Sequence, residues 1–129
     1  SELEPILARH VAAQGRRIIA EPTPEKGFFY RSDHFSLAKR GVPMIYFDAG
    51  DDFVSGGASA GRAAADDYTE NRYHKPQDEY RDTWDWSGAV DDLRLNYAIG
   101  RELADGNAWP NWYPSAEFKA IRDKSRAGK

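Results

Sequence analysis

The stretch Tyr73-His74-Lys75-Pro76-Gln77-Asp78 is the part of this sequence richest in groups that can do chemistry. A neutral imidazole is a good zinc ligand, and its second ring nitrogen needs a carboxylate or carbonyl to hold the tautomer. Asp78, on a loop braced by Pro76, can supply that order or tie down the loop backbone. A single loop histidine is more often a surface residue than a ligand, so from these residues alone both readings stay open. A second stretch, Tyr30-Arg31-Ser32-Asp33-His34, reads as a strand-to-helix junction, where open α/β sheets place their ligands. Backbone N–H groups at a helix start favour an anion. Ordinary capping by Ser32, with Asp33 complementing the helix dipole and Arg31 in solvent, accounts for the same residues equally well.

Other groupings carry less. Ser32, Asp33 and His34 in a row are no catalytic triad, because triad members converge from separate elements. His10 falls in the first helical pattern and reads as structural or exposed. The pairs Asp51-Asp52, Asp66-Asp67 and Asp91-Asp92 read as solvated surface and lack the spacing of a calcium loop. Gly56-Gly57 has no following Lys-Ser or Lys-Thr, so no phosphate-cradling loop is encoded. There is no cysteine, which excludes disulfides and thiolate zinc sites. A net charge of −3 with scattered Lys and Arg argues against nucleic acid as a partner. No apolar run is long enough for a membrane span.

The elements that must position these residues follow from hydrophobic spacing. Leu3, Ile6, Leu7, Val11 and Ile18 suggest an amphipathic first helix, with Pro5 in its first turn. Ile18-Ile19 suggests a short strand, and Pro22 and Pro24 an extended linker. Residues 27–30 are strand-like; Ser32 then caps a helix that Gly41 closes, and residues 42–47 form the clearest strand, apolar and buried. Residues 50–65, rich in Gly, Ala, Ser and Asp, read as a long surface loop, as do residues 68–80. Trp86, Val90, Leu93, Tyr97 and Ala104 share one face of a later helix, widened by Leu95, Ile99 and Leu103. Asp85 or Ser87 caps its start and Gly106 its end. Trp109, Trp112, Tyr113, Phe118 and Ile121 form an aromatic tail that packs back on the body, and residues 119–129 are mildly basic. This pattern implies an α/β fold, a central mixed sheet flanked by helices. Only one strand is convincing and a buried strand needs neighbours on both sides. The sheet is therefore incomplete in this chain, which reads as processed or cut from something larger.

Taken in order, Tyr30-Arg31-Ser32-Asp33-His34-Phe35, Gly41-Val42-Pro43 and Tyr73-His74 with Asp78 resemble the C-terminal third of the zinc-dependent aminopeptidase family. That family includes bacterial leucyl aminopeptidases, glutamate carboxypeptidase II and glutaminyl cyclase. The resemblance runs from about Gly27 to the end of the helix that begins near Trp86, and Tyr73 stands where cyclases tend to carry Trp. It implies that residues 1–129 are the C-terminal part of a three-layer catalytic domain binding two zinc ions. His74 would be the last metal ligand, Asp78 its supporting carboxylate, and Tyr73 a wall of the substrate site. Tyr30, Arg31, Ser32 and Asp33 would lie near the pocket, with Phe29 where some aminopeptidases place an oxyanion-stabilising Tyr. The family's other ligands come from a His-x-Asp and a Glu-Glu pair whose first Glu is the general base, and neither motif occurs here. The expected function is removal of N-terminal residues from peptides by zinc-activated water in the parent protein, the chain alone being inactive. The rival is an association or receptor-like module that keeps the fold without the metals. The isolated chain should self-associate, and by analogy the parent is periplasmic or secreted.

Overall fold

The computed structural model describes residues 1–128; Lys129, the last residue of the basic tail, lies outside them. Among the described residues there are five α-helices: α1 (Glu4–Ala13), α2 (His34–Ala38), α3 (Gly57–Asn71), α4 (Ser87–Asp105) and α5 (Lys119–Arg126). Pro24–Lys26 and Phe28–Arg31 form short 3-10 turns. The chain divides into two compact units, the first made of Ser1–Phe47 and the chain from Leu93 on, the second of Asp48–Asp92.

The expected α/β three-layer fold is not what forms. Among the described residues there is no strand, and the one β-type pairing is an isolated bridge between Phe53 and Gly57. Residues 18–19 and 27–30 are not strands either: Ile18 and Ile19 are about half exposed, and Phe28–Arg31 turns as a 3-10 helix. The decisive case is residues 42–47. A strand is defined by a ladder of exchanged N–H and C=O groups, and no neighbouring segment offers one. The Met44 carbonyl instead accepts the Ser1 hydroxyl at 2.9 Å. What survives of the strand pattern is its alternation of sides. Ile45 and Phe47 pack on one hydrophobic cluster and Met44 on another, while Tyr46 stacks on His34.

In the first unit, Leu3, Ile6, Leu7 and Val11 of the α1 segment share a buried cluster with Leu95 and Ile99 of α4. Each such side chain contributes about 1.5–3 kcal/mol by leaving water. The inward stripe of α4 is therefore Leu95, Ile99 and the partly buried Leu103. Of the wide apolar face expected here, only this widening edge is buried, whereas Trp86, Val90, Leu93 and Tyr97 are exposed. Both stripes have helical spacing, and only contact with α1 selects between them.

The second cluster joins Ala38, Trp112 and Phe118, flanked by Phe29, Phe35 and Met44. The aromatic tail thus packs back through Trp112 and Phe118, whereas Trp109 stays exposed. Gly41 ends the turn after α2 with φ 83°, and a Cβ there would lie 2.7 Å from the backbone N of Arg122. Its carbonyl accepts the buried Trp112 indole N–H at 3.1 Å. Glycine is needed here for both conformation and space.

In the second unit, α3 occupies much of what the Gly/Ala-rich composition suggested was a loop. Ala58, Ala60, Ala63, Ala64 and Ala65 have high helix propensity. Gly61 is required because the Asp51 carbonyl crosses the helix there, 1.8 Å from where a Cβ would stand. At α4's start, Asp85 Oδ1 accepts the Ser87 N–H at 2.9 Å, as its cap. This bond and the Ser87 side chain hold the Asp85 carboxyl below its ordinary range. No helix of the described residues is long and apolar enough to cross a membrane.

Candidate functional site

The Tyr73-His74 loop is built by the end of α3. Both Arg72 N–H and Tyr73 N–H turn back to the Tyr68 carbonyl, at 2.9 and 2.8 Å, closing the helix. His74 then takes φ 56°, the one non-glycine residue in the left-handed region among those described. Lys75 N–H returns to the Arg72 carbonyl at 2.8 Å and its ammonium caps the Glu70 carbonyl. Asp78 N–H bonds the Lys75 carbonyl at 3.0 Å. The reversal lays the His74 ring flat on Tyr73, centroids 3.9 Å apart and planes 21° from parallel. Both rings are solvent-accessible.

Tyr68 Oη donates to Asp78 Oδ2 at 2.8 Å, which together with desolvation pushes the Tyr68 phenol above its ordinary value. Tyr68 also touches Tyr73, with centroids 6.0 Å apart, and lies under the Arg72 guanidinium at 5.7 Å. Arg72 pairs with Asp67 at 2.6 Å, while Asn71 donates to Asp67 at 2.8 Å. Both bonds lower the Asp67 carboxyl, the Asn71 bond most.

The other candidates belong to the first unit. Tyr30 Oη donates to Glu117 Oε1 at 3.1 Å, a bond to a negative group that raises the phenol's pKa. The Arg31 guanidinium lies 5.8 Å over the Phe28 ring. Ser32 is extended and does not cap α2; Asp33 occupies the N-cap position without a side-chain cap bond. The helix that follows has 5 residues, too short to gather an N-terminal field. His34 is the residue whose surroundings the sequence concealed. Its ring stacks on Tyr46 at 4.8 Å and meets Phe29 edge-on at 4.6 Å, leaving Nε2 buried without a hydrogen-bond partner.

The structure thus brings Tyr73 and His74 together and links Asp78 to Tyr68, while Tyr30, Arg31, Ser32 and Asp33 stand in the other unit. Tyr68 is not marked out by the sequence because residues 68–80 lack periodicity; the signal was an aromatic five residues before Tyr73 on the same chain reversal.

These residues do not make up a zinc site by themselves. Zinc takes about four ligands, three of them protein groups even in catalytic sites. Among the described residues no three His, Cys, Asp or Glu side chains converge as a metal site would require. His74 offers one imidazole, and the nearest carboxylate in its loop is engaged by a phenol.

Comparison with known proteins supplies what geometry alone does not. No curated protein and no solved structure matches the chain. The sequence model of peptidase family M28 matches residues 1–98, a span holding the Ser32-Asp33-His34, Gly41-Val42-Pro43 and Tyr73-His74 elements together. The chain belongs to peptidase family M28.

Proposed function

We propose that this chain serves a zinc-dependent aminopeptidase, which removes N-terminal residues from peptides, and that it contributes His74 as one metal ligand. The reading rests on family membership together with the posture of His74. A non-glycine residue held at φ 56° with its ring seated on Tyr73 is a costly arrangement. Such strain concentrates where a side chain must be presented at a set angle. In this reading residues 1–129 are the C-terminal part of the catalytic domain. The general base and remaining ligands come from residues outside this sequence. Tyr73 walls the substrate site, Asp78 steadies the loop, and Tyr30, Arg31, Ser32 and Asp33 lie toward the substrate. Because the described residues hold no zinc site, the chain by itself is inactive on peptides.

The test uses the full-length gene product. His74→Ala is expected to lower turnover of an aminoacyl reporter by roughly a hundredfold or more and to reduce bound zinc. Undiminished activity and zinc content in that variant would overturn the assignment. The second reading is a non-catalytic association module without the metals, which loss of His-x-Asp and Glu-Glu from the full-length protein would favour. A full-length protein that binds no zinc and turns over no peptide would establish it.

The isolated chain is further proposed to associate with itself through the exposed stripe of α4. Leu93 and Tyr97 are 68% and 67% exposed there, with Val90 beside them.

A further inference from the structure

The second unit contains a cleft of about 450 Å³, within the range of roughly 300–1,000 Å³ found for small-molecule sites. Its charged lining is balanced: Arg72 and Arg81 against Asp78 and Glu79. Tyr68 and Trp84 provide its apolar walls. This balance runs against the composition of the unit. Between Asp48 and Asp92 there are 12 Asp and Glu but only 4 Arg and Lys, and two of those four cations line this one cleft.

The arrangement is held in place by local bonds. Trp84 N–H bonds the Arg81 carbonyl at 3.1 Å, a turn that holds these two lining residues in one short segment. Tyr80 and Trp86 brace the Trp84 ring edge-on, at 5.6 and 5.3 Å. Arg72 is paired with Asp67, and Asp78 accepts the Tyr68 hydroxyl. Glu79 and Arg81 are exposed and enter neither pair, leaving one cleft charge of each sign without a partner in these bonds.

We propose that this cleft binds a free α-amino acid with an aromatic or large apolar side chain. The carboxylate is taken by Arg81 with Arg72, since guanidinium is the donor best matched to a carboxylate. The ammonium is taken by Glu79 with Asp78, and the side chain lies on Trp84. A ligand carrying only one of the two charges leaves either Arg81 or Glu79 unanswered. The inference stands on the cleft itself and does not depend on the peptidase reading.

The test is an NMR titration of the chain with L-phenylalanine near 0.15 M salt, where long-range attraction to the acidic unit is largely screened. The Trp84 indole N–H, assigned through Trp84→Phe, is expected to shift saturably. L-phenylalaninamide, lacking the carboxylate, and N-acetyl-L-phenylalanine, lacking the ammonium, should each bind at least about tenfold more weakly. Arg81→Ala and Glu79→Gln should each weaken phenylalanine binding at least about fivefold while the rest of the spectrum is unmoved. No saturable shift up to the solubility of phenylalanine would overturn the proposal, as would equal binding of the amide or indifference to both substitutions. His74→Ala is expected to leave this binding unaltered, so this site and the metal-ligand role of His74 fail separately.

Discussion

The Tyr68 phenol donates to Asp78 Oδ2 across 2.8 Å, tying the last turn of α3 to the loop that follows His74. The carboxylate that the spacing offers to an imidazole is thereby held by a phenol. The bond also makes Tyr68 a reporter of the loop. Its pKa is raised chiefly by that hydrogen bond, with desolvation next. A group whose pKa is raised on folding stabilises the folded form below its unfolded value, near 10 for tyrosine, and loses that contribution as pH climbs through the raised value. Asp78→Asn should bring the Tyr68 pKa down toward its ordinary value, followed by NMR of ring-labelled tyrosine. An unchanged titration would mean that the bond does not persist in solution.

The left-handed conformation of His74 separates backbone strain from side-chain chemistry. His74→Gly should leave the denaturation midpoint unchanged or raise it slightly, because glycine adopts φ 56° freely. His74→Val should destabilise by about 1–2 kcal/mol, since a β-branched residue resists that region. Equal stabilities for the two variants in urea would show that the residue is extended in solution.

Gly41 and Trp112 form a second testable pair. Gly41→Ala forces a Cβ to within 2.7 Å of Arg122 N and imposes φ 83° on an L-residue. A loss of about 2 kcal/mol or more is expected by chemical denaturation. Trp112→Phe keeps an aromatic ring in the cluster but strips the Gly41 carbonyl of its buried donor, for about 1–3 kcal/mol. Full stability of either variant would remove this contact from the account of how the tail is held.

Self-association through α4 is expected to be concentration-dependent and to reside in Leu93 and Tyr97. In sedimentation velocity the isolated chain should show a monomer–oligomer equilibrium that Leu93→Glu with Tyr97→Glu abolishes, since charges are poorly tolerated at an apolar contact. A sharp monomer at every concentration would rule it out.

What the sequence determined by itself lies mostly in local chemistry. Pro5 in the first turn of α1, the Asp85 cap of α4, its end before Gly106 and the turn at Gly41 are legible because each depends on a few neighbouring residues. The ordered motifs around Ser32, Gly41 and His74 are likewise legible, and they carried the family. Tertiary contact alone decided the rest. Residues 42–47 have the apolar composition and the alternation of a strand, yet a ladder needs a partner that no single segment encodes. Residues 50–65 have the Gly, Ala, Ser and Asp composition of a loop, yet α3 begins at Gly57, and Gly61 admits the Asp51 backbone against the helix. The two stripes of α4 are equally periodic, and the α1 cluster chose Leu95 and Ile99. The posture of His74 on Tyr73, and Asp78's commitment to Tyr68, arise from the chain reversal after α3, a geometry set by hydrogen bonds that composition does not display.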